Sequence, residues 1–308
     1  MEIALQFVLL ALGFVMLGKG ADWFVEGAAG IAMRFGIPQL VIGLTIVAMG
    51  TSAPEAAVSI AAAVKGNADI TIGNIVGSNI LNILVIFGLA ASIVPIAVAR
   101  STVRIEIPFM IGVTALLFYQ GRDGSISLAD GGVLMVAFAV YMMYLYTMAM
   151  KSNVDSDLEE PGLPLGRCLL GAVGGLALII AGSNVTVGAA TSIATYAGLS
   201  ERFIGLTIVA LGTSLPELFT SVAAARRGNA DIAIGNIVGS NIFNILFVVG
   251  LSSLIIDIPF ASAFNFDTYV ALGAAVLLWL CVLRTQRLQR WAGALMLVCY
   301  AVYLGYIL

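Results

Sequence analysis

Long apolar runs alternate with short polar or glycine-rich breaks along the whole chain. A helix that crosses a bilayer needs about 20 mostly apolar residues. The pattern predicts ten such helices, over residues 3–33, 39–64, 70–95, 105–120, 127–149, 165–195, 202–225, 232–256, 268–284 and 290–308. The breaks fall at Gly36-Ile37-Pro38, Gly66-Asn67-Ala68-Asp69, Gly121-Arg122-Asp123-Gly124 and Gly228-Asn229-Ala230-Asp231, where glycine and proline punctuate helices. Lys151–Pro164, KSNVDSDLEEPGLP, is the one clearly water-loving linker. The expected fold is therefore all-α: a polytopic membrane protein of two five-helix halves, residues 1–150 and 165–308, joined by the short linker 151–164.

Composition agrees with this pattern. Hydrophobic residues make up 61% of the chain, charged residues 10%, and the mean hydropathy is +1.07. A soluble domain carries roughly 25% charged residues, so this chain cannot cover a water-facing surface and belongs in the bilayer. A net charge of −3 with no basic patch gives nucleic acid nothing to hold. The absence of histidine removes the commonest general base and metal ligand. Cys168, Cys281 and Cys299 lie singly in apolar runs and read as packing residues. No enzyme activity, cofactor or protein partner is expected. The first apolar run has no basic residue before Lys19 and does not read as a cleaved signal peptide. With no targeting segment in view, a prokaryotic plasma membrane is expected.

Orientation follows from the bias of basic residues toward the cytoplasm. With the N-terminus outside, Arg34, Arg100, Arg104, Lys151, Arg167, Arg226, Arg227, Arg284, Arg287 and Arg290 fall inside, and Lys65, Arg122 and Arg202 fall outside. Both termini are therefore expected outside.

One stretch occurs twice. Residues 43–84, GLTIVAMGTSAPEAAVSIAAAVKGNADITIGNIVGSNILNIL, recur as residues 205–246, GLTIVALGTSLPELFTSVAAARRGNADIAIGNIVGSNIFNIL. The offset is 162 without insertion, and 32 of the 42 pairs are identical. Five spans is an odd number, so the second half enters the membrane from the opposite side. The chain is thus expected to be an inverted-topology repeat, a transporter architecture whose substrate site lies near the midplane. The duplicated cores are expected over about 39–95 and 202–257.

Each copy places a glutamate, Glu55 or Glu217, one residue after a proline, Pro54 or Pro216. A proline removes a helical donor, here freeing the carbonyls of Gly50 and Gly212. Irregular backbone at membrane depth survives only where it is buried in protein or lines a watery cavity. The freed carbonyls, two carboxylates and the hydroxyls of Thr51, Ser52, Thr213 and Ser214 make an all-oxygen cluster. Such a set suits hard cations, Ca²⁺ or Na⁺, and not zinc or copper. An ionised glutamate in mid-membrane costs at least ~2.5 kcal/mol, and a bound divalent cation would neutralise two at once.

The second polar helix carries Gly73-Asn74-x-x-Gly77-Ser78-Asn79-x-x-Asn82, repeated from Gly235 to Asn244. Asn74, Ser78 and Asn82 fall four apart and form one stripe. Ser78, Ser240, Asn82 and Asn244 are candidate ligands. Asn74, Asn79, Asn236 and Asn241 are expected to pack or to bond the broken helices. The GxxxG spacings would admit another backbone closely.

GTSAPE with GNIVGSNILNIL, and GTSLPE with GNIVGSNIFNIL, resemble the two alpha-repeats of the sodium/calcium exchangers, within the cation/calcium exchanger superfamily. The resemblance covers residues 18–95 and 180–257. It implies ten helices, electrogenic exchange of several Na⁺ for one Ca²⁺, and four ion sites in a diamond. Carried over by position, Glu55 and Glu217 would be central ligands, with the carbonyls of Thr51 and Thr213 completing the Ca²⁺ site. Ala48, Thr51, Ser78 and Glu217 would form one Na⁺ site; Ala210, Thr213, Ser240 and Glu55 would form the other. Asn82 and Asn244 would sit mid-diamond. Some members carry aspartate at the position of Asn244, including the potassium-dependent branch, so neutral Asn244 implies potassium independence. The short linker has no room for the large Ca²⁺-sensing domain of animal exchangers. H⁺ is the expected competitor, through a Ca²⁺/H⁺ antiporter on the same fold. A cation channel is a more remote reading.

Helices one and six, rich in glycine, are expected to be the longest and to move. Gly13, Gly18, Gly20, Gly27 and Gly30 line the first; Gly171, Gly174, Gly175, Gly182 and Gly188 line the second. Among the remaining charges, Lys19, Asp22 and Glu26 read as an ion-pair or interfacial cluster, Asp69 and Asp231 as helix N-caps, and Asp257 and Asp267 as solvated loop residues.

Overall fold

The computed structural model describes residues 2–66, 68–152, 163–198 and 210–307. In chain order the helices are α1 (Glu2–Arg34), α2 (Gln39–Ile42), α3 (Ala48–Thr51), α4 (Ala53–Val64), α5 (Asp69–Leu81), α6 (Gly88–Ile93), α7 (Ile107–Gln120) and α8 (Leu128–Ser152). They continue as α9 (Leu165–Tyr196), α10 (Ala210–Thr213), α11 (Leu215–Arg226), α12 (Ala230–Phe243), α13 (Gly250–Ile255), α14 (Ala263–Leu283) and α15 (Arg290–Ile307). π-helical turns at Gly43–Val47, Asn82–Phe87, Thr102–Glu106 and Asn244–Val249 join several of these into longer bodies. Two pairs of two-residue antiparallel strands, Ile96–Ala97 with Arg287–Leu288 and Ser125–Ile126 with Ile258–Pro259, tie loops together.

Eight helical bodies among the described residues are long and apolar enough to cross a membrane. A ninth arises if Gln39–Thr51 and Ala53–Val64, bent by 51°, count as one span. The helix expected over 202–225 is seen only from Ala210, its earlier part lying outside the described residues, as does most of the polar linker. Other spans agree with the apolar runs, with two shifts. The helix expected from 105 begins at Thr102 with a π turn, and that expected from 268 begins at Ala263. Pro108 lies directly after that π turn, at the start of α7. The charges at Arg104 and Asp267 therefore sit within helices.

The breaks lie where glycine supplies a left-handed backbone: Gly36 at φ 60°, Gly66 at 76°, Gly124 at 98° and Gly228 at 80°. Two cap expectations are corrected. Ala68 and Asn229 hold the N-cap positions, without side-chain cap bonds, and Asp69 and Asp231 are already in the first turn. There Asp231 lies near the positive end of the helix dipole, which favours an acid without requiring a cap bond.

α1 and α9, 33 and 32 residues long, are the longest helices and pack along one another. Glycine sets how close they come. A Cβ at Gly27 would lie 2.4 Å from Ala172 N, and one at Gly175 would lie 2.5 Å from Phe24 N. Gly13, Gly20 and Gly182 are also crowded by the facing helix, while Gly18, Gly174 and Gly188 face open space. The remaining core is built on α12, the most buried span, which packs against Gly43–Val47, α2 and α3. There Gly235 meets Gly43 and Gly239 meets Leu44 and Ala48, each at 2.8 Å from the position of an added Cβ. This is the close approach the GxxxG spacing predicts. In the first copy Gly73 lies under the Phe264 ring, and Gly77 has nothing within 4 Å among the described residues.

Gly27→Ala should lower the melting temperature of the purified protein, because the added methyl meets backbone that cannot step aside; overpacking of this kind costs about 1–3 kcal/mol. Gly174→Ala, on the same helix pair but in open space, should melt at the wild-type temperature.

Candidate cation-binding site

The two duplicated segments converge on a cluster of oxygens. α3 ends at Thr51, Ser52 sits at the break with φ −81° and ψ 5°, and α4 starts at Ala53 with Pro54 in its first turn. α10, Ser214 and α11 repeat this arrangement, with Ser214 at φ −91° and ψ 3° and Pro216 in the first turn. Proline is harmless there and disruptive one turn further on, which explains why both helices break just ahead of it. The break turns Glu55 and Glu217 into first-turn residues, near the positive helix end that favours a carboxylate.

Both glutamates are 1% exposed. Each takes a hydroxyl from the other segment: Ser52 Oγ donates to Glu217 Oε1 at 2.8 Å, and Ser214 Oγ donates to Glu55 Oε1 at 3.4 Å. The second oxygen of each carboxylate, Oε2, is buried without a hydrogen-bond partner. Oδ1 of Asn82 and Oδ1 of Asn244 are in the same condition. Each asparagine begins a π-helical turn, Asn82–Phe87 and Asn244–Val249, a widening that recurs at functional sites.

The asparagines lock the frame. Asn74 Nδ2 donates to Glu55 O at 3.3 Å and Ser59 Oγ at 2.9 Å. Asn236 Nδ2 does the same with Glu217 O at 3.4 Å and Ser221 Oγ at 2.9 Å. The expected role of Asn74 and Asn236, bonding the broken helices, is what the structure has. Asn79 and Asn241 instead link the two polar helices. Asn82 Nδ2 donates to Asn241 Oδ1 at 3.0 Å, Asn244 Nδ2 to Asn79 Oδ1 at 3.1 Å, and Asn79 Nδ2 to Asn241 O at 3.2 Å.

Thr51 Oγ1 donates to Asn236 Oδ1 at 2.9 Å and reaches the carbonyls of Val47 and Ala48. Ser240 Oγ donates to Ala48 O at 3.3 Å. Ser78 is buried on α5, and Thr213 is the last residue of α10. Of Ala210 only its place in the α10 backbone is described. One expectation is corrected: neither carbonyl ahead of the prolines is free. Gly50 O accepts a backbone N–H at the cap of α3, and Gly212 O accepts Ser183 Oγ at 2.7 Å. A helix losing one donor tightens its turn or recruits a nearby hydroxyl, since a buried bare carbonyl is costly.

Ser59, Ser221 and Ser183 escaped the sequence reading. Ser59 and Ser221 had a signal, since they recur at +162 one turn after each glutamate. Ser183 had none, because the matching residue in the first half is Ala21. The charged cluster on α1 does form ion pairs, but with Arg227: its Nε meets Asp22 Oδ1 at 3.2 Å and its Nη1 meets Glu26 Oε2 at 3.3 Å. Asp257 accepts Leu128 N at 3.2 Å, and Asp267, inside α14, accepts the Tyr303 hydroxyl at 2.9 Å, so neither is a merely solvated loop residue.

Among the described residues no three His, Cys, Asp or Glu side chains come together. Two carboxylates, amide oxygens, hydroxyls and carbonyls are an oxygen-only set, matched to hard cations. A bundle of membrane-crossing helices with such a set buried at its centre has the makings of a cation transporter. Comparison with known proteins agrees: the chain belongs to the sodium/calcium exchanger protein family, whose sequence profile matches residues 5–147 and 168–308. It is 40% identical to the putative antiporter CaxA of Alkalimonas amylolytica, over 98% of both chains. It is 32% identical to the sodium/calcium exchanger MaX1 of Methanosarcina acetivorans, again over 98% of both. It also superposes on a structure of the sodium-calcium exchanger NCX_Mj soaked with Na⁺ and Sr²⁺, with TM-score 0.86 and 34% identity, covering 98% of this chain and 99% of that one.

Ser52→Ala should destabilise the purified protein more than Ser214→Ala, because the 2.8 Å bond to Glu217 is lost in the first and only the 3.4 Å bond to Glu55 in the second. Hydrogen bonds to charged groups are worth about 1.5–3 kcal/mol, so Ser52→Ala should fall toward that figure in a thermal melt.

Proposed function

We propose that this chain is a secondary active antiporter that exchanges Na⁺ for Ca²⁺ across the membrane by alternating access, electrogenically and without potassium. One observation carries the reading. Four buried oxygens, Oε2 of Glu55 and Glu217 and Oδ1 of Asn82 and Asn244, have no hydrogen-bond partner, and all four belong to the duplicated motifs. A buried oxygen without a donor is costly, and cations of the oxygen-seeking kind relieve that cost.

In this reading Glu55 and Glu217 hold Ca²⁺ with the carbonyls of Thr51 and Thr213. Ala48, Thr51, Ser78 and Glu217 hold one Na⁺; Ala210, Thr213, Ser240 and Glu55 hold another. Asn82 and Asn244 stand between them as neutral ligands. Ser52 and Ser214 position the carboxylates, and Pro54 and Pro216 keep the helices broken. Two negative charges balance one Ca²⁺ or two Na⁺, so the ions compete for the same oxygens. Occupancy neutralises the polar seam and permits the site to change sides.

The proposed architecture is ten spans in two inverted halves, 1–150 and 165–308, with linker 151–164 cytoplasmic. Both termini lie outside a prokaryotic plasma membrane, on the bias of Lys and Arg. α1 and α9 are the moving pair, since their glycine-lined contact offers little to hold one register.

Purified protein in liposomes should accumulate Ca²⁺ when Na⁺ is loaded inside, with or without K⁺, and should build a membrane potential as it does. Uptake driven by an outward H⁺ gradient and not by Na⁺ would overturn the Na⁺ reading in favour of Ca²⁺/H⁺ exchange. Glu55→Gln or Glu217→Gln should each abolish uptake; exchange retained in both variants would remove the two carboxylates from the site.

A further inference from the structure

A second buried acid lies outside the cluster. Glu106 is fully buried at the end of the π turn Thr102–Glu106, directly before α7. The Tyr144 hydroxyl, from α8, donates to Glu106 Oε1. Oε2 is buried without a partner, and so are Thr102 Oγ1, on the same turn, and the Tyr141 hydroxyl, one helical turn from Tyr144 on α8. The Tyr141 ring stacks on Phe109 of α7, with centroids 5.3 Å apart. The helix packed on the other flank, α14, contributes the Trp279 indole N–H, and that bonds Val103 O at 2.8 Å. The charged neighbour on the turn itself, Arg104, is exposed, and the two ion pairs found among the described residues both belong to Arg227.

An isolated carboxylate in such a place is paired, protonated or prohibitively costly. The groups around Glu106 decide which. Hydroxyls from two tyrosines and one threonine, with a single free carboxylate oxygen, give a metal cation too few strong ligands. A proton needs one acceptor. We propose that Glu106 is a proton-binding site separate from the Glu55–Glu217 cluster, a neutral carboxylic acid that accepts from Tyr144 at Oε1 and carries its proton on Oε2.

The site is joined to the asparagine frame. Met110, one helical turn along from Glu106, takes the Asn241 amide N–H on its sulfur at 3.5 Å, and the same Asn241 accepts from Asn82. The proton on Glu106 keeps the start of this span neutral, so that α7 can lie against α12 at that contact. The inference does not depend on which ions are exchanged.

Infrared spectroscopy of purified, Ca²⁺-saturated protein at neutral pH tests it, because the Glu55 and Glu217 signals cancel between wild type and Glu106→Gln. The wild-type minus Glu106→Gln difference should contain the carbonyl stretch of a protonated carboxylic acid. Carboxylate stretches in its place overturn the proposal. Tyr144→Phe leaves Glu106 intact and guards against misfolding of the first variant. It should move that carbonyl band to higher frequency by removing the donor to Oε1, and an unmoved band overturns the assigned geometry. Ca²⁺ uptake should persist in Glu106→Gln, which keeps the shape and neutrality of the acid, and its loss would overturn the separation of this site from the cation cluster.

Discussion

Glu55 and Glu217 bring two carboxylates into an apolar bundle, and each is answered by a serine of the opposite segment. Among the described residues no ion pair reaches either of them. The surrounding construction follows from this. The helices break so that each glutamate enters a first turn, where backbone N–H groups and the helix dipole oppose its charge. Asn74 and Asn236 pin the carbonyls of the same two residues, so the carboxylates are held by their own backbone as well as across the interface. What remains unanswered is one oxygen on each acid. A fully paired cluster would be a stable ion trap or a plain structural network. Leaving those oxygens bare keeps the proposed cations as the missing partners, and makes the cost of an ion-free site large.

The frame around those oxygens is cross-linked by hydrogen bonds where the cation ligands are proposed and lined by glycine where movement is proposed. α5 and α12 are stitched by reciprocal amide bonds between Asn79, Asn82, Asn241 and Asn244. Gly235 and Gly239 let the backbone of Gly43–Ala48 lie against α12, which puts the Ala48 carbonyl within reach of Ser240. α1 and α9 contrast with this. Their contact is set by glycines on both helices, facing backbone and the side chains of Met16, Cys168, Ile179 and Thr186, and Ser183 ties α9 to the Gly212 carbonyl. Small residues permit close sliding contact between helices, which is why the proposed movement falls to this pair.

Much of this was legible in the sequence because membrane solvent is unforgiving. Apolar runs gave the spans, glycines gave the turns, and a duplicated Pro-Glu within apolar sequence marked the cluster. The crossed Ser52–Glu217 and Ser214–Glu55 bonds followed from duplication only in outline; which hydroxyl meets which acid depends on how two helices meet, and no local pattern encodes that. The π turns at Asn82 and Asn244 were hidden because their sequences, NILVIF and NILFVV, read as ordinary buried helix. The Gly50 and Gly212 carbonyls looked free when only proline was counted, and the structure finds donors for both, one from the tightened turn and one from Ser183. Glu106 was passed over because it sits near Arg100 and Arg104, where an acid reads as a surface residue, although a π turn carries it inward.

The two halves are most alike at the cluster and diverge away from it. Lys65 and Arg227 hold equivalent places at the ends of α4 and α11, yet among the described residues only Arg227 meets acids, Asp22 and Glu26 on α1. The α9 positions that match those acids are Asn184 and Gly188, so α9 offers no carboxylate there. Exposed ion pairs are each worth about 0–1 kcal/mol. Two conformations of one protein differ by a few kcal/mol, so a pair of such bridges on one side only is enough to weight the proposed equilibrium. A site built from matching halves has no preferred side by itself. The bias in the proposed equilibrium must come from residues that were not kept in duplicate, and the α1–Arg227 contact is one place where the charges of this chain depart from its internal repeat.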